Sequence, residues 1–147
     1  MYKRQGLDHA EELVGVHKPD VVFLAFGMND GTCGRTPEEF AENTAAMMRR
    51  IQNASPDAEF VLVATSLPSP EALTFEGNPF YNRQPEYKEA LDSLCREGVV
   101  TANVRDVQRE LLKRKRFIDM TGNNINHPND FFHRVYAQVA FTSVMPN

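Results

Sequence analysis

Two segments of the chain carry residue types that can do chemistry, and the first is the run Gly27-Met28-Asn29-Asp30. Gly27 lets the backbone turn sharply after an apolar stretch. The Asn29 amide can donate toward a developing negative charge, as an oxyanion-hole group does. Asp30 can brace the turn by accepting from nearby backbone N–H groups. Because Gly, Asn and Asp are also common in ordinary turns, a plain turn is the alternative interpretation.

The second segment, Asn124-Ile125-Asn126-His127-Pro128, joins an irregular stretch to the last predicted helix. Pro128 restricts the backbone beside His127, so the imidazole is held in a junction with little freedom. Imidazole is the usual general base for a hydroxyl nucleophile near neutral pH. A His at a helix end with no chemical role is the alternative. The remaining histidines are interpreted as solvated or packing residues: His9, His17 and His133.

Three apolar stretches, residues 20–26, 59–65 and 99–104, are predicted to be the strands that position both segments. Continuous apolar, β-branched and aromatic residues are typical of strands buried on both faces of a parallel sheet. Helical patterns alternate with these stretches, which predicts an α/β fold with helices on both sides of the sheet. In such folds the ligand site lies beyond the carboxyl ends of the strands, where Gly27 to Asp30 falls.

Capping signals predict where several helices begin. Thr36-Pro37-Glu38-Glu39 has the pattern of a capping box, and it opens a helix. Asp8 and Asp106 are predicted to cap two further helices, and Pro128 is predicted to occupy the first turn of the last one. The long helix carries an apolar stripe that predicts core positions: Phe40, Thr44, Met47, Met48 and Ile51. Residues 67–85 contain four prolines and are predicted to be a long functional or mobile loop.

Composition limits the class of protein. With 147 residues, 41% of them hydrophobic, the chain is predicted to be one globular domain rather than a disordered one. A formal net charge of −4 disfavours a nucleic-acid partner, and the basic run Lys113 to Arg116 is interpreted as a solvated helix end. Two distant cysteines predict neither a disulfide framework nor a structural zinc site. The longest apolar run is too short to span a membrane, no signal peptide is visible, and the compartment is left open.

The combination of the stretch Pro19 to Asp30 with Asn126-His127-Pro128-Asn129-Asp130 resembles the SGNH hydrolases, also called GDSL esterases. The resemblance covers residues 7–141. It implies a flavodoxin-like three-layer α/β/α sandwich that hydrolyses carboxylic esters, including acyl groups on carbohydrates and lipids. A small-molecule ester substrate is implied, and no metal or organic cofactor.

The resemblance also implies roles for particular residues. Gly27 to Asp30 match the family's Gly-x-Asn-Asp block, in which Asn29 donates to the oxyanion. His127 matches the His of the Asp-x-x-His block and is the implied catalytic base. Asn124 stands where the family has Asp, and an Asn holds the ring without neutralising an imidazolium; in a Ser-His-Asp triad the corresponding change costs about 10⁴ in rate. Asp119 or Asp130 supplying the carboxylate, or a Ser–His dyad oriented by a backbone carbonyl, are the open alternatives.

The family's first block, a strand followed by Gly-Asp-Ser, has no match here. None of the four serines before the last helix follows Gly-Asp: Ser55, Ser66, Ser69 and Ser93. A second-block Gly is also unmatched, with Gly6 a conceivable remnant. We therefore expect residues 1–147 to be a single domain that is incomplete at its N-terminus and lacks the first strand, with residues 1–5 hypothesised to be foreign. Such a chain is expected to be nearly inactive, and the exposed sheet edge predicts marginal stability or self-association.

Two other functions are kept as alternatives. One is a pseudo-enzyme that binds a glycan or acyl ligand without turnover. The other is a flavodoxin-like nucleotide-binding or receiver domain. The second requires a phosphate-cradling loop after the first strand, and the run Gly27 to Thr32 places an acid where the phosphate would lie.

Overall fold

Three parallel strands form the sheet of the computed structural model, which describes residues 5–69 and 84–145. The strands are β1 (Val21–Leu24), β2 (Glu59–Ala64) and β3 (Val99–Asn103), and β2 lies in the middle. Phe23 pairs with Val61 across β1 and β2, and Val61 pairs with Val100 across β2 and β3. The predicted parallel sheet is confirmed.

Helices cover both faces of this sheet. The described part of the chain contains the α-helices α1 (Gln5–Leu13), α2 (Met28–Thr32), α3 (Pro37–Ala54), α4 (Gln84–Asp92), α5 (Val104–Leu112) and α6 (Asp130–Thr142). Short 3-10 helices span Gly15–His17 and Phe117–Met120. On one face, side chains of α1, α3 and α4 form a core with Phe60 and Leu62. On the other face, α5 and α6 pack over Val61 and Val63. The result is the expected α/β/α sandwich.

Helix α3 begins as the capping pattern predicts. The Thr36 hydroxyl accepts from the Glu39 N–H at 3.2 Å, and the Glu39 carboxylate accepts from the Thr36 N–H at 3.1 Å. These two bonds satisfy backbone donors that the first turn leaves without a helical partner. All five residues of the predicted apolar stripe of α3 are buried.

Three predicted helix starts are wrong. Helix α1 already includes Asp8, so that residue is inside the helix and not its cap. Helix α5 is capped by Asn103, whose side chain accepts from the Asp106 N–H at 3.1 Å, so the helix begins before Asp106 and that residue lies in its first turn. Helix α6 is capped by Asn129, and Pro128 lies before the cap, where it forms an isolated bridge with Thr121.

Strand β1 is shorter and less buried than its apolar run predicts. Val22 and Leu24 are buried, whereas Val21 is 40% exposed and Phe23 is 48% exposed. The reason is position, because β1 lies at an edge of the described sheet and α5 and α6 pack mainly against β2 and β3. Residues 70–83 of the predicted proline-rich loop fall outside the described residues. Among the described helices, none combines the length and apolar character needed to cross a membrane.

Candidate active site

The turn after β1 is built around a backbone conformation that favours glycine. Gly27 is buried, has φ of 125°, and stands at the N-terminal end of α2. Its carbonyl accepts from the Gly31 N–H at 3.0 Å, which starts the short helix that carries Asn29. The residue types predict a turn here, and the structure adds a short helix, α2, to that turn. It fixes the direction of Asn29 relative to the end of β1.

Two stacked aromatic rings lie against Gly27. A Cβ on this residue would come within 3.4 Å of Tyr87 Cδ2 and 3.5 Å of Phe40 Cζ. The centroids of these two rings are 4.5 Å apart, and the ring planes differ by 23°. The turn therefore rests on a packed aromatic support rather than on solvent.

Asp30 braces the turn through Arg35. Its carboxylate accepts from the Arg35 guanidinium at 2.8 Å, and its carbonyl accepts from the Arg35 N–H at 3.0 Å. The brace predicted from backbone N–H groups is thus replaced by an ion pair whose side chains are only 14% and 24% exposed. Asn29 itself is exposed, and within the described ranges its side-chain amide has no hydrogen-bond partner. The amide is therefore open to a ligand, and its oxyanion role stays a prediction.

A different side chain, Asn123, shapes the segment that carries His127. The Asn123 Oδ1 atom accepts from the backbone N–H groups of Ile125, Asn126 and His127, each at 3.0 Å. The His127 carbonyl in turn accepts from the Thr121 hydroxyl and from the Gly122 N–H, both at 2.8 Å. Asn123 and Thr121 are not among the residues predicted for the site, although an Asn whose side chain can bond the backbone two residues ahead is a known turn signal.

The side chains of His127 and Asn124 are both exposed. In residues 5–69 and 84–145 no hydrogen bond or ion pair joins the His127 imidazole to Asn124, to Asp119 or to Asp130. Asn124 has φ of 54°, a conformation that Asn tolerates better than most residues. The Asp119 carboxylate pairs with Arg116 at 3.0 Å, and the hydrogen bonds from Arg116 lower the Asp119 pKa. The group that orients His127 is left open by these contacts.

The segment that follows β2, residues 65–69, contacts both the Gly27 turn and the His127 segment at the carboxyl-terminal end of the strands. Near its start, the Thr65 hydroxyl lies 3.7 Å from the position of a Cβ on Gly27. At its end, the Ser69 N–H donates to the Ile125 carbonyl at 2.7 Å, two residues before His127. The predicted sites thus flank residues 65–69 at the carboxyl ends of the strands.

The serines of that connecting segment are held in the interior. Ser66 is 3% exposed and Ser69 is 1% exposed. The Tyr136 hydroxyl donates to Ser66 Oγ at 2.9 Å and accepts from the Ser66 N–H at 2.7 Å. Burial is the main cause of the raised pKa of Tyr136, so this phenol stays protonated as a hydrogen-bond donor. Ser66 is therefore a structural hydroxyl and not a solvent-facing nucleophile.

The described residues hold no cluster of three or more His, Cys, Asp or Glu side chains that could bind a metal ion. The open polar groups of the site are instead an amide and an imidazole at the edge of a sheet. These groups can stabilise negative charge and accept a proton, which is the chemistry of acyl transfer.

Three solved structures with similar folds are named as esterases or as a hydrolase. A carbohydrate esterase family 3 structure from Talaromyces cellulolyticus is 21% identical, with a TM-score of 0.63, over 92% of this chain and 63% of that one. LAE5, an alpha/beta hydrolase enzyme from the metagenome of Lake Arreo, Spain, is 19% identical, with a TM-score of 0.75, over 95% and 66%. An acetyl esterase mutant with acetate ion is 20% identical, with a TM-score of 0.57, over 95% and 64%. At these identities the likeness establishes the fold.

The chain spans 63–66% of the length of these three structures. A comparison with curated proteins gives no match. A family model described as the GDSL-like Lipase/Acylhydrolase family matches residues 3–135, which include both the Gly27 turn and the His127 segment. The fold and the family match agree, and the chain belongs to the GDSL-like lipase/acylhydrolase family.

Proposed function

We propose that this chain is part of an ester hydrolase that acts on small carboxylic esters, including acyl groups on carbohydrates. The observation that carries the proposal is the joint position of two open groups. Gly27, two residues before Asn29, lies near Thr65, and Ile125, two residues before His127, bonds to Ser69; the side chains of Asn29 and His127 are both exposed. The esterase names of two structural neighbours support the same substrate class.

In the proposed reaction a serine hydroxyl attacks the acyl carbon of the ester. His127 takes the proton from the hydroxyl and later returns it to the leaving alcohol. The Asn29 amide donates to the oxyanion that forms on the acyl oxygen. The serine belongs to a segment that is not in this sequence, because no described serine is both exposed and tied to this edge of the sheet.

Hydrolysis of p-nitrophenyl acetate tests this proposal. In subtilisin, loss of the nucleophile costs roughly 10⁶ in kcat, so the purified chain is expected to give a rate near background. A longer natural protein that adds the serine segment is expected to be active. In that longer protein His127→Ala should abolish turnover, and Asn29→Ala should lower kcat by about 10²–10³. Ready hydrolysis by the present chain that His127→Ala abolishes would contradict the assignment of the nucleophile to a segment outside this sequence, whereas a longer protein that carries the serine segment and shows no hydrolysis would contradict the proposed ester hydrolase.

A binding module without turnover is the second candidate function. The observation that favours it is Asn124, which stands at the family's Asp position, while the described part of the chain places no carboxylate against His127. Ligand binding that persists without hydrolysis in the longest natural protein would support this candidate. A longer protein with efficient turnover would exclude it.

We also propose that the β1 edge takes part in self-association. Val21 and Phe23 present apolar surface on the face of this edge strand opposite the core residues Val22 and Leu24, and Phe26 is 41% exposed just beyond the strand. An apolar strand edge with free backbone groups is a template for pairing with another chain. The association is expected to depend on protein concentration.

A further inference from the structure

Tyr87 contacts both ends of the turn that carries Asn29. At one end, the Tyr87 ring packs against Gly27, at 3.4 Å from the position of a Cβ on that glycine. At the other end, the Tyr87 hydroxyl donates to the Arg35 carbonyl at 2.6 Å. Tyr87 is 3% exposed, so both contacts are made inside the protein. A single side chain on α4 therefore holds the beginning and the end of a turn that belongs to a distant part of the sequence.

Arg35 links the Tyr87 contact to the interior of the turn, because both its side chain and its backbone bond to Asp30. The Arg35 guanidinium donates to the Asp30 carboxylate at 2.8 Å, and the Arg35 N–H donates to the Asp30 carbonyl. Asp30 is the neighbour of Asn29, and the Asn29 carbonyl accepts from the Cys33 N–H at 3.0 Å. The contacts thus form a closed path from Tyr87 through Arg35 and Asp30 to the backbone of Asn29.

We propose that Tyr87 is a positioning residue for Asn29, acting through Arg35 and Asp30 to hold the turn in the orientation that an oxyanion donor needs. The inference deepens the proposed ester hydrolysis and rests on it for the role of Asn29. Oxyanion donors act because they are fixed before charge develops, so a loosened turn weakens the donor without removing it. These contacts also couple α4 to the Asn29 turn, because a displacement of α4 moves both the ring and the hydroxyl of Tyr87 away from the turn.

The variant Tyr87→Phe isolates the hydroxyl, because it keeps the ring that packs on Phe40 and Gly27. Amide hydrogen exchange of the full chain, followed by NMR, measures the result at single residues. We expect the N–H groups of Gly31, Cys33 and Arg35 to exchange about five- to tenfold faster, as loss of one buried hydrogen bond predicts.

Ser55→Ala is the matched control for this variant. The Ser55 hydroxyl is also buried and also donates to a backbone carbonyl, that of Pro19 at 3.1 Å, before the start of β1. Removal of a hydroxyl that has only a structural role lowers the free energy of unfolding and speeds exchange at protected amides of β2, such as that of Leu62. We expect Ser55→Ala to leave the exchange of the turn amides unchanged. Equal exchange of the turn amides in Tyr87→Phe and Ser55→Ala would overturn the proposal.

Arg35→Ala tests the middle of the same path, and it remains a test of the proposal if Tyr87→Phe does not fold. It removes the guanidinium that holds Asp30, and we expect the same local increase of exchange at Gly31 and Cys33. If exchange at these amides stays at the wild-type rate in every variant that folds, the proposed path is wrong.

Acetate, the product of an acetyl ester, gives a second readout that separates the two proposals. NMR titration follows the side-chain amide of Asn29 as acetate is added. We expect the wild-type dissociation constant to rise severalfold in Tyr87→Phe and to stay constant in Ser55→Ala. No response of Asn29 in the wild-type chain would contradict its oxyanion role, while exchange in the turn would still decide whether Tyr87 positions it. A response that is the same in Tyr87→Phe and the wild type would contradict the positioning role alone.

Discussion

Replacing Gly27 by alanine should destabilise the protein through backbone strain and not through a clash. A Cβ at this position meets its nearest neighbour, Tyr87, at 3.4 Å, which is ordinary van der Waals contact. The φ of 125°, however, lies in a region that residues with a side chain rarely adopt. Such strain costs about 1–3 kcal/mol, and the reduced freedom of the unfolded chain offsets about 0.4–1 kcal/mol of it. The net expected loss in the free energy of unfolding is about 1–2 kcal/mol.

Urea denaturation of Gly27→Ala measures this loss as a lower midpoint at an unchanged slope. For a domain of this size the expected fall in Tm is about 2–8 °C. Gly122→Ala is the control, because a Cβ there has no atom nearer than 3.7 Å and φ is outside the left-handed region. It is expected to change stability by less than about 0.5 kcal/mol. If Gly27→Ala is as stable as Gly122→Ala, the argument from backbone strain is wrong.

Three further outcomes follow from described contacts. Asn123→Ala should speed amide exchange in the segment that carries the general base, since its Oδ1 atom accepts three backbone N–H groups, whereas Asn124→Gly should not. The hydrogen bond from the Arg105 side chain lowers the pKa of Asp106, so the ionised Asp106 stabilises the fold above about pH 3.9, and this stabilisation is lost as the pH falls through the lowered pKa. In Asp106→Asn the urea midpoint should therefore fall less steeply below about pH 4 than in the wild type. The same pH dependence in both proteins would contradict this. Phe23→Lys should reduce concentration-dependent association in sedimentation velocity, and a wild-type chain that is a monodisperse monomer with a sharp reversible transition would refute the edge proposal.

The fold is predictable from the sequence where several local signals agree. Helix α3 has a cap, a proline in its first turn and an apolar stripe, and all of them are found as predicted. Strand β2 reads as buried on both faces and is so, because it lies in the middle of the described sheet with helices over each side. In these elements propensity, periodicity and tertiary packing favour the same structure.

Errors occur where two nearby residues could each begin a helix. Asn103 and Asp106 both have side chains that suit a cap, and composition does not decide between them; in the structure Asn103 is the cap, and the Asp106 N–H donates to it. The exposure of Phe23 depends on which strands and helices lie beside β1, and a residue pattern within one strand does not contain that information.

The elements beside the two candidate segments can be predicted from the sequence, but the contacts that support the segments cannot. A glycine and an Asn after a strand predict the position of Asn29, and a His before a helix predicts that of His127; the roles of both residues stay predictions. The supporting contacts come from elements distant in sequence. Tyr87 on α4 contacts the turn that carries Asn29, and Ser69, in the segment after β2, bonds to the segment that carries His127. Such contacts depend on the tertiary arrangement, so a reading of local spacing misses them.

The most direct test of the central claim is to sequence the source DNA immediately upstream of the codon for Met1. The proposed ester hydrolase predicts an open reading frame there that encodes an apolar strand followed by Gly-Asp-Ser. That segment would add the nucleophile to Asn29 and His127. A true start codon with no such segment upstream would contradict the serine mechanism, and it would leave the binding module as the better account of this site.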